Sequence, residues 1–357
     1  MKNILLIVAL VMSLVAVRAQ KRVLVYDIFD EINSTTWTYT QGAFQKADAV
    51  DADCIIVHLN TYGGEVVYAD SIRTKILNSA RPVYAFIDNN AASAGSLISI
   101  ACDSIYMRRG ANIGAASVVD QSGDKMPDKY QSYMRSTMRS TAESHGMRSD
   151  DSTRWFRDPH IAEAMVDEYI AIEGVVDSGR ILTFTTDEAI ANGFCEGRAT
   201  TVDEVAHRVA GNDCVVTYYH PTTFDGVKGF LTSSALHGIL ILIILGGIYF
   251  ELQTPGVGFP SLAALVAGVL YFAPLYIDGL AENWEILLFV VGVVLLAIEL
   301  FLIPGFGVAG VSGIVCIVLG LMFSMLDNDG LDFSTVSSSD LTWSCQPSQP
   351  TMSNQNC

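Results

Sequence analysis

Beyond Lys228 the chain carries no lysine or arginine, and this part of it falls into four apolar runs, 231–250, 257–277, 286–303 and 306–326. Only the third is interrupted by a charge, Glu299. Helices built from such runs have no polar face to offer water, and each run is close to the ~20 residues that a bilayer crossing requires. A four-helix transmembrane domain is therefore expected over residues 230–326, with membrane lipid as its surroundings. The rest of the composition agrees: 50% of the residues are hydrophobic and only 17% charged, which excludes a disordered chain. The formal net charge of −17 leaves no basic face to neutralise phosphates, so nucleic-acid binding is excluded too.

The apolar part contains a repeat. Glu251 precedes a turn at Pro255-Gly256, and Glu299 precedes a turn at Pro304-Gly305, each turn linking two runs. The unit is a helical hairpin used twice in the same orientation. A carboxylate at a helix C-terminus opposes the helix dipole. Each glutamate is accordingly expected to accept a hydrogen bond from backbone just past its turn.

At the other end, Lys2, an apolar stretch over 4–17 and a small-residue end at Ala19 have the form of a secretory signal peptide over 1–19, cut after Ala19. The loops between the apolar runs lack Lys and Arg, so charge bias cannot orient them. The leader can: it sends residues 20–229 outside the cell membrane, and four crossings return the polar tail, 327–357, to the same side. This makes a multi-pass protein with an extracytoplasmic front domain. The tail, rich in Ser, Gln and Asn, reads as disordered.

Residues 20–229 alternate β-branched runs with helical stretches, the pattern of an α/β fold with a largely parallel sheet. Strands are expected at 23–26, 54–59, 83–87 and 104–107, and helices at 37–49, 66–78, 94–101 and 127–146. The seven cysteines show no zinc or CxxC spacing. No metal or other cofactor is expected, and Cys54 and Cys102 read as buried thiols.

Chemistry concentrates at two turns. Ala92-Ser93-Ala94-Gly95 lies between a strand and a helix, where a serine hydroxyl projects off the sheet edge and the amide of Ala94 faces any oxyanion formed there. A helix-capping serine would give the same local pattern. The second turn, Tyr62-Gly63-Gly64-Glu65, ends the preceding strand, and Gly64 N–H is the candidate second oxyanion donor. No histidine is suitably placed as a base. A lysine can serve when its neutral form is accessible. Lys129, in the first turn of a helix after Pro127, is the first candidate because the helix dipole disfavours its ammonium form, although a solvated surface lysine has the same spacing; Lys125, on the preceding loop, is the rival.

Taken together, the Gly-Gly turn, the Ser-Ala-Gly turn, Gly110 to Ala116, and Lys129 ahead of a multispan tail resemble the long NfeD (nodulation efficiency protein D) proteins. The resemblance covers about residues 22–326. It implies a ClpP/crotonase-like fold and a membrane-bound serine endopeptidase, with Ser93 as nucleophile and Lys129, not Lys125, as general base. It further implies a hydrophobic peptide or membrane-protein substrate, a stomatin-like partner, and a homodimer or higher oligomer. Long members end in an OB-fold domain, for which 327–357 is too short. Two other readings share the fold: a catalytically silent membrane scaffold, and a crotonase-type acyl-CoA enzyme. The second is disfavoured because Glu65 is the only acid beside the Gly-Gly turn and the leader removes the domain from cytoplasmic CoA.

Overall fold

A computed structural model of the chain describes residues 20–120, 122–253, 258–277, 283–302 and 307–324. The expected leader, both Pro-Gly turns and the polar tail lie outside the described residues. The chain divides into two compact units at Ser233/Ser234.

The first unit is built on an eight-stranded sheet in the order β6-β5-β3-β2-β1-β8, with β4 pairing both β3 and β7. Its strands are β1 (Arg22–Ile28), β2 (Cys54–Thr61), β3 (Val83–Ala92), β4 (Ser104–Met107), β5 (Asn112–Gly114), β6 (Thr183–Thr185), β7 (Gly197–Arg198) and β8 (Val215–Tyr218). Only the β5–β6 pair is antiparallel. Parallel neighbours require crossovers, and these are the helices α1 (Ser34–Ala49), α2 (Val66–Leu77) and α3 (Ala94–Ala101). The remaining helices of this unit are α4 (Asp128–Glu143), α5 (Pro159–Ala164), α6 (Thr186–Ala191), α7 (Val202–Ala210) and α8 (Thr223–Leu231).

Both faces of the sheet are covered, which is why its central strands are apolar at nearly every position rather than at alternate ones. Leu24, Tyr26, Ile55, Val57, Ala85 and Ile87 meet the helices α1 to α3. Val23, Val25, Cys54, Ile56 and Phe86 meet Val202, Val205 and Ala206 of α7. The four expected strands and four expected helices all occur. β3 runs five residues beyond its expected end, because it exchanges partners: its first half pairs with β4, its last three residues with β5.

The second unit contains α9 (Ser234–Gln253), α10 (Phe259–Ile277), α11 (Asn283–Leu302) and α12 (Val308–Phe323). α9 packs on α10 and α11 on α12, the expected pair of hairpins. Small residues allow the close approach: a Cβ at Gly292 would stand 2.7 Å from Gly313 O, and one at Gly313 would stand 2.8 Å from Gly292 O. Among the described residues, two helices are long and apolar enough to cross a membrane, within α9 and α10. This corrects the expectation of a four-helix transmembrane domain to two clear spans. α12 has 16 residues, short of a full crossing, and α11 carries two buried acids, Glu285 and Glu299. Glu299 accepts from Gly307 N–H, just beyond its turn at the start of α12, as the dipole argument requires. Glu251 is likewise buried.

Candidate active site

β2 and β3 are adjacent and parallel, so the turns that leave their C-terminal ends lie side by side; Thr61 pairs with Ala91 across the last register position. Ser93 occupies the turn from β3 into α3 with φ +53° and ψ −120°. Such a conformation costs a non-glycine residue roughly 1–3 kcal/mol, and persists only where its surroundings impose it. Here they do: Ser93 N–H donates to Gly114 O at 2.9 Å, and Ser93 O accepts from Ser96 N–H at 2.9 Å and Ser96 Oγ at 2.7 Å. The Ser93 side chain makes no capping bond to α3. The helix-cap explanation for this serine therefore fails, and its hydroxyl is left for other work.

The Gly-Gly turn is pinned from behind. Gly63 O accepts from Ile32 N–H at 2.9 Å, and Glu65 N–H donates to Ile32 O at 2.8 Å. Thr61 Oγ1 accepts from Gly63 N–H at 3.1 Å and donates to Asp30 O at 2.7 Å. The two glycines have different reasons to be glycine. Gly63 has φ +113°, and a Cβ there would lie 2.6 Å from Ser93 Cβ, 3.0 Å from Ser93 Oγ and 3.3 Å from Ala94 N. Gly64 has φ +155°, and a Cβ there would collide with the backbone of Ile32. The sequence singles out Gly64 for the oxyanion; the residue packed against the serine is Gly63, a distinction that depends on which side of the turn faces α3. Ala94, the first residue of α3, is buried, and its N–H belongs to the first helical turn, where donors lack intrahelical partners.

Ser93, Gly63 and Gly64 share the wall of an open cleft of about 1080 Å³ with Phe29, Glu31 and Tyr62. Glu65, on the same wall, has its carboxyl raised from the ordinary value by burial, with Glu31 adding repulsion. A second groove of about 700 Å³ adjoins it through Val66, Val119 and Asp120; Val67, Tyr130, Tyr133 and Met134 make it mainly apolar.

Lys129 lines this second groove, not the wall of the serine cleft. It is exposed, in the first turn of α4 as expected, with Nζ 4.8 Å from the centre of the Tyr130 ring. Lys125 Nζ donates to Glu168 Oε1 at 2.9 Å, and that hydrogen bond raises its pKa, which disfavours the neutral form a base needs. Burial pushes Cys54 up to about 11 and Cys195 up to about 12, and raises Cys102 as well, which favours the protonated thiol at these three positions.

A fully buried residue that sequence pattern does not reveal braces the far end of the serine helix. Arg157 Nη1 donates to Cys102 O at 3.0 Å, its Nη2 lies 3.5 Å from Glu196 Oε1, and His145 Nε2 lies 2.8 Å from Ile100 O. The C-terminus of α3 thus ends on a guanidinium and an imidazole, while its N-terminus carries Ser93. A cation there is favoured by the helix dipole.

The geometry defines a serine at a strained strand-to-helix turn beside a double-glycine turn, on a membrane-linked α/β domain. The family model of the NfeD1b N-terminal domain matches residues 22–219, and that of the NfeD integral membrane domain matches residues 235–345. The chain belongs to the NfeD family of membrane proteins. It is similar to membrane protein NfeD1b of Bacillus subtilis, with 33% identity over 288 residues, covering 80% of this chain and 63% of that one. It is also similar to the membrane-bound protease PH1510 of Pyrococcus horikoshii, with 24% identity over 345 residues, covering 90% of this chain and 73% of the relative. The chain thus spans under two thirds of the length of the Bacillus relative. Among solved structures, a 1510-N membrane-bound stomatin-specific protease mutant in complex with a substrate peptide aligns with 24% identity and a TM-score of 0.49, over 60% of this chain and 99% of the other.

Proposed function

We propose that this chain is a membrane-anchored serine endopeptidase with a ClpP-like catalytic domain. The observation that carries the reading is Ser93: a strained, uncapped serine held against Gly63 on the wall of an open cleft. In the reaction, the neutral amine of Lys129 takes the Ser93 hydroxyl proton as Oγ attacks a peptide carbonyl carbon. The N–H groups of Gly64 and Ala94 hold the resulting oxyanion. The Lys129 ammonium returns the proton to the departing amine, and water then attacks the acyl ester and frees Ser93. In this reaction Lys129 acts on Ser93 across the boundary that its groove shares with the cleft.

The apolar groove beside the cleft supports a hydrophobic peptide segment as substrate, the class the family resemblance implies. A stomatin-like membrane protein is the source of that segment implied by the same resemblance. The family resemblance implies an extracytoplasmic catalytic domain assembled as a homodimer or larger oligomer, held at the membrane by the helical second unit. One observation favours a second reading, a catalytically silent scaffold of the same fold: Lys129 stands outside the serine cleft. The test is turnover of a hydrophobic peptide by the purified full-length protein. Ser93→Ala and Lys129→Ala are each expected to abolish cleavage; unchanged turnover in either rejects the dyad.

A further inference from the structure

Helix α8 is the last element of the first unit, and its two faces differ sharply. One is seated on α1. Ser34 Oγ donates to Gly229 O at 2.8 Å, and a Cβ at Gly229 would lie 2.5 Å from Thr35 Cα, so the two helices touch through backbone. Gly226 approaches the Tyr39 hydroxyl on the same face. The start of α8 is fixed by a capping box, in which the Thr222 side chain accepts from Asp225 N–H and Asp225 accepts from Thr222. Asp225 also accepts from the Tyr219 hydroxyl at 3.2 Å.

The other face carries Phe224, Val227 and Phe230, which are 63%, 52% and 61% exposed. Their spacing of three residues places them along one side of the helix, away from Gly226 and Gly229. Three large apolar side chains exposed in a row on a firmly seated helix need a cover. Only Thr232 and Ser233 separate Leu231 from the start of α9 at Ser234, and three chain steps reach at most about 10 Å. Among the described residues, α9 is one of two helices long and apolar enough to cross a membrane. The C-terminal end of the stripe, at Phe230, is therefore tethered within about one helix diameter of the start of α9, and Phe224 lies about two turns of helix further back.

We infer that α8 is an interfacial helix, whose Phe224, Val227 and Phe230 enter the boundary between lipid headgroups and acyl chains. Amphipathic helices of this kind bury their apolar face about 5–10 Å into that boundary. Its opposite face is locked to α1, so the stripe is carried by a helix seated on the α/β domain. The inference rests on membrane insertion of α9 and is independent of catalysis at Ser93.

The test places a photoreactive benzoyl-phenylalanine at 224, 227 or 230 in the full-length protein. The vesicles are mixed phosphatidylcholine and phosphatidylglycerol, with exposed Tyr169 replaced in the same way as a control. Lipid adducts by mass spectrometry at all three positions of α8, and none at 169, are expected. A Val227→Asp substitution is expected to remove the adduct at 230 while the protein keeps its melting temperature. Crosslinks from 227 and 230 to a second copy or to α9–α12, or lipid adducts as abundant at 169, overturn the inference.

Discussion

Replacing Gly63 and Gly64 one at a time loads the front and the back of the same turn separately. In Gly63→Ala the new methyl meets Ser93 Cβ at 2.6 Å, Ser93 Oγ at 3.0 Å and Ala94 N at 3.3 Å. Side-chain atoms and the front of the oxyanion site take the clash. The backbone at φ +113° adds strain of roughly 1–3 kcal/mol. Displacing one oxyanion donor costs about 10²–10³ in rate, or roughly 2.7–4 kcal/mol of transition-state stabilisation. In Gly64→Ala the methyl meets Ile32 backbone, with Ile32 N at 2.5 Å, and the Ile32 clamp on the turn must open. Two backbone hydrogen bonds are then at risk, at about 1 kcal/mol each, in addition to the strain. The assay pairs the second-order rate of Ser93 acylation by a fluorophosphonate with the melting temperature of the full-length protein in detergent. Gly63→Ala is expected to lose most of its acylation rate for a modest loss in melting temperature; Gly64→Ala, which moves the donor N–H itself, is expected to lose acylation and to show the larger thermal loss. Wild-type acylation in Gly63→Ala refutes the assignment of this turn to the oxyanion site.

Other positions yield their own tests. Arg157→Met leaves Cys102 O and Glu196 without their buried cation and is expected to cost about 3 kcal/mol, the low end for breaking a buried pair, measured by chemical denaturation. His145 has its pKa lowered, first by burial and then by Arg157. The unfolded chain therefore binds a proton at higher pH than the folded one, and stability falls as pH drops below about 6.5, the unfolded value. Melting curves from pH 8 to pH 5 should show this decline, and His145→Gln should flatten it. Lys125→Met is expected to leave Ser93 acylation unchanged, since that lysine is held by Glu168. Glu299→Gln weakens the bond from Gly307 N–H by roughly 1–2 kcal/mol, the gap between charged and neutral acceptors, and should lower the detergent melting temperature.

Much of the domain is legible from local pattern. The strands β1 to β4 and helices α1 to α4 follow from β-branched runs, helical periodicity and their breakers, and the Ser-Ala-Gly and Gly-Gly turns stand out because they end adjacent strands. Three features resist such reading for physical reasons. Strand β5 has three residues and exists because the end of β3 needs a partner, so no window of sequence announces it. Gly63 and Gly64 are equivalent in sequence; only the fold shows that a Cβ at the first would meet Ser93 and one at the second would meet the Ile32 backbone. Arg157 looks like a surface cation in a polar stretch, yet packing around the end of α3 buries it completely. Lys129 illustrates the opposite case. Its helix position is predictable, but local pattern does not show that it lines the groove beside the serine cleft rather than the cleft itself.

The central claim is that Ser93 is a nucleophile activated in place. Membranes containing the full-length protein, treated with a fluorophosphonate probe and analysed by peptide mass spectrometry, test it most directly. The account predicts a phosphonyl adduct on Ser93, absent in Ser93→Ala and strongly slowed in Lys129→Ala. An unmodified Ser93 at probe concentrations that label a control serine hydrolase in the same membranes contradicts it.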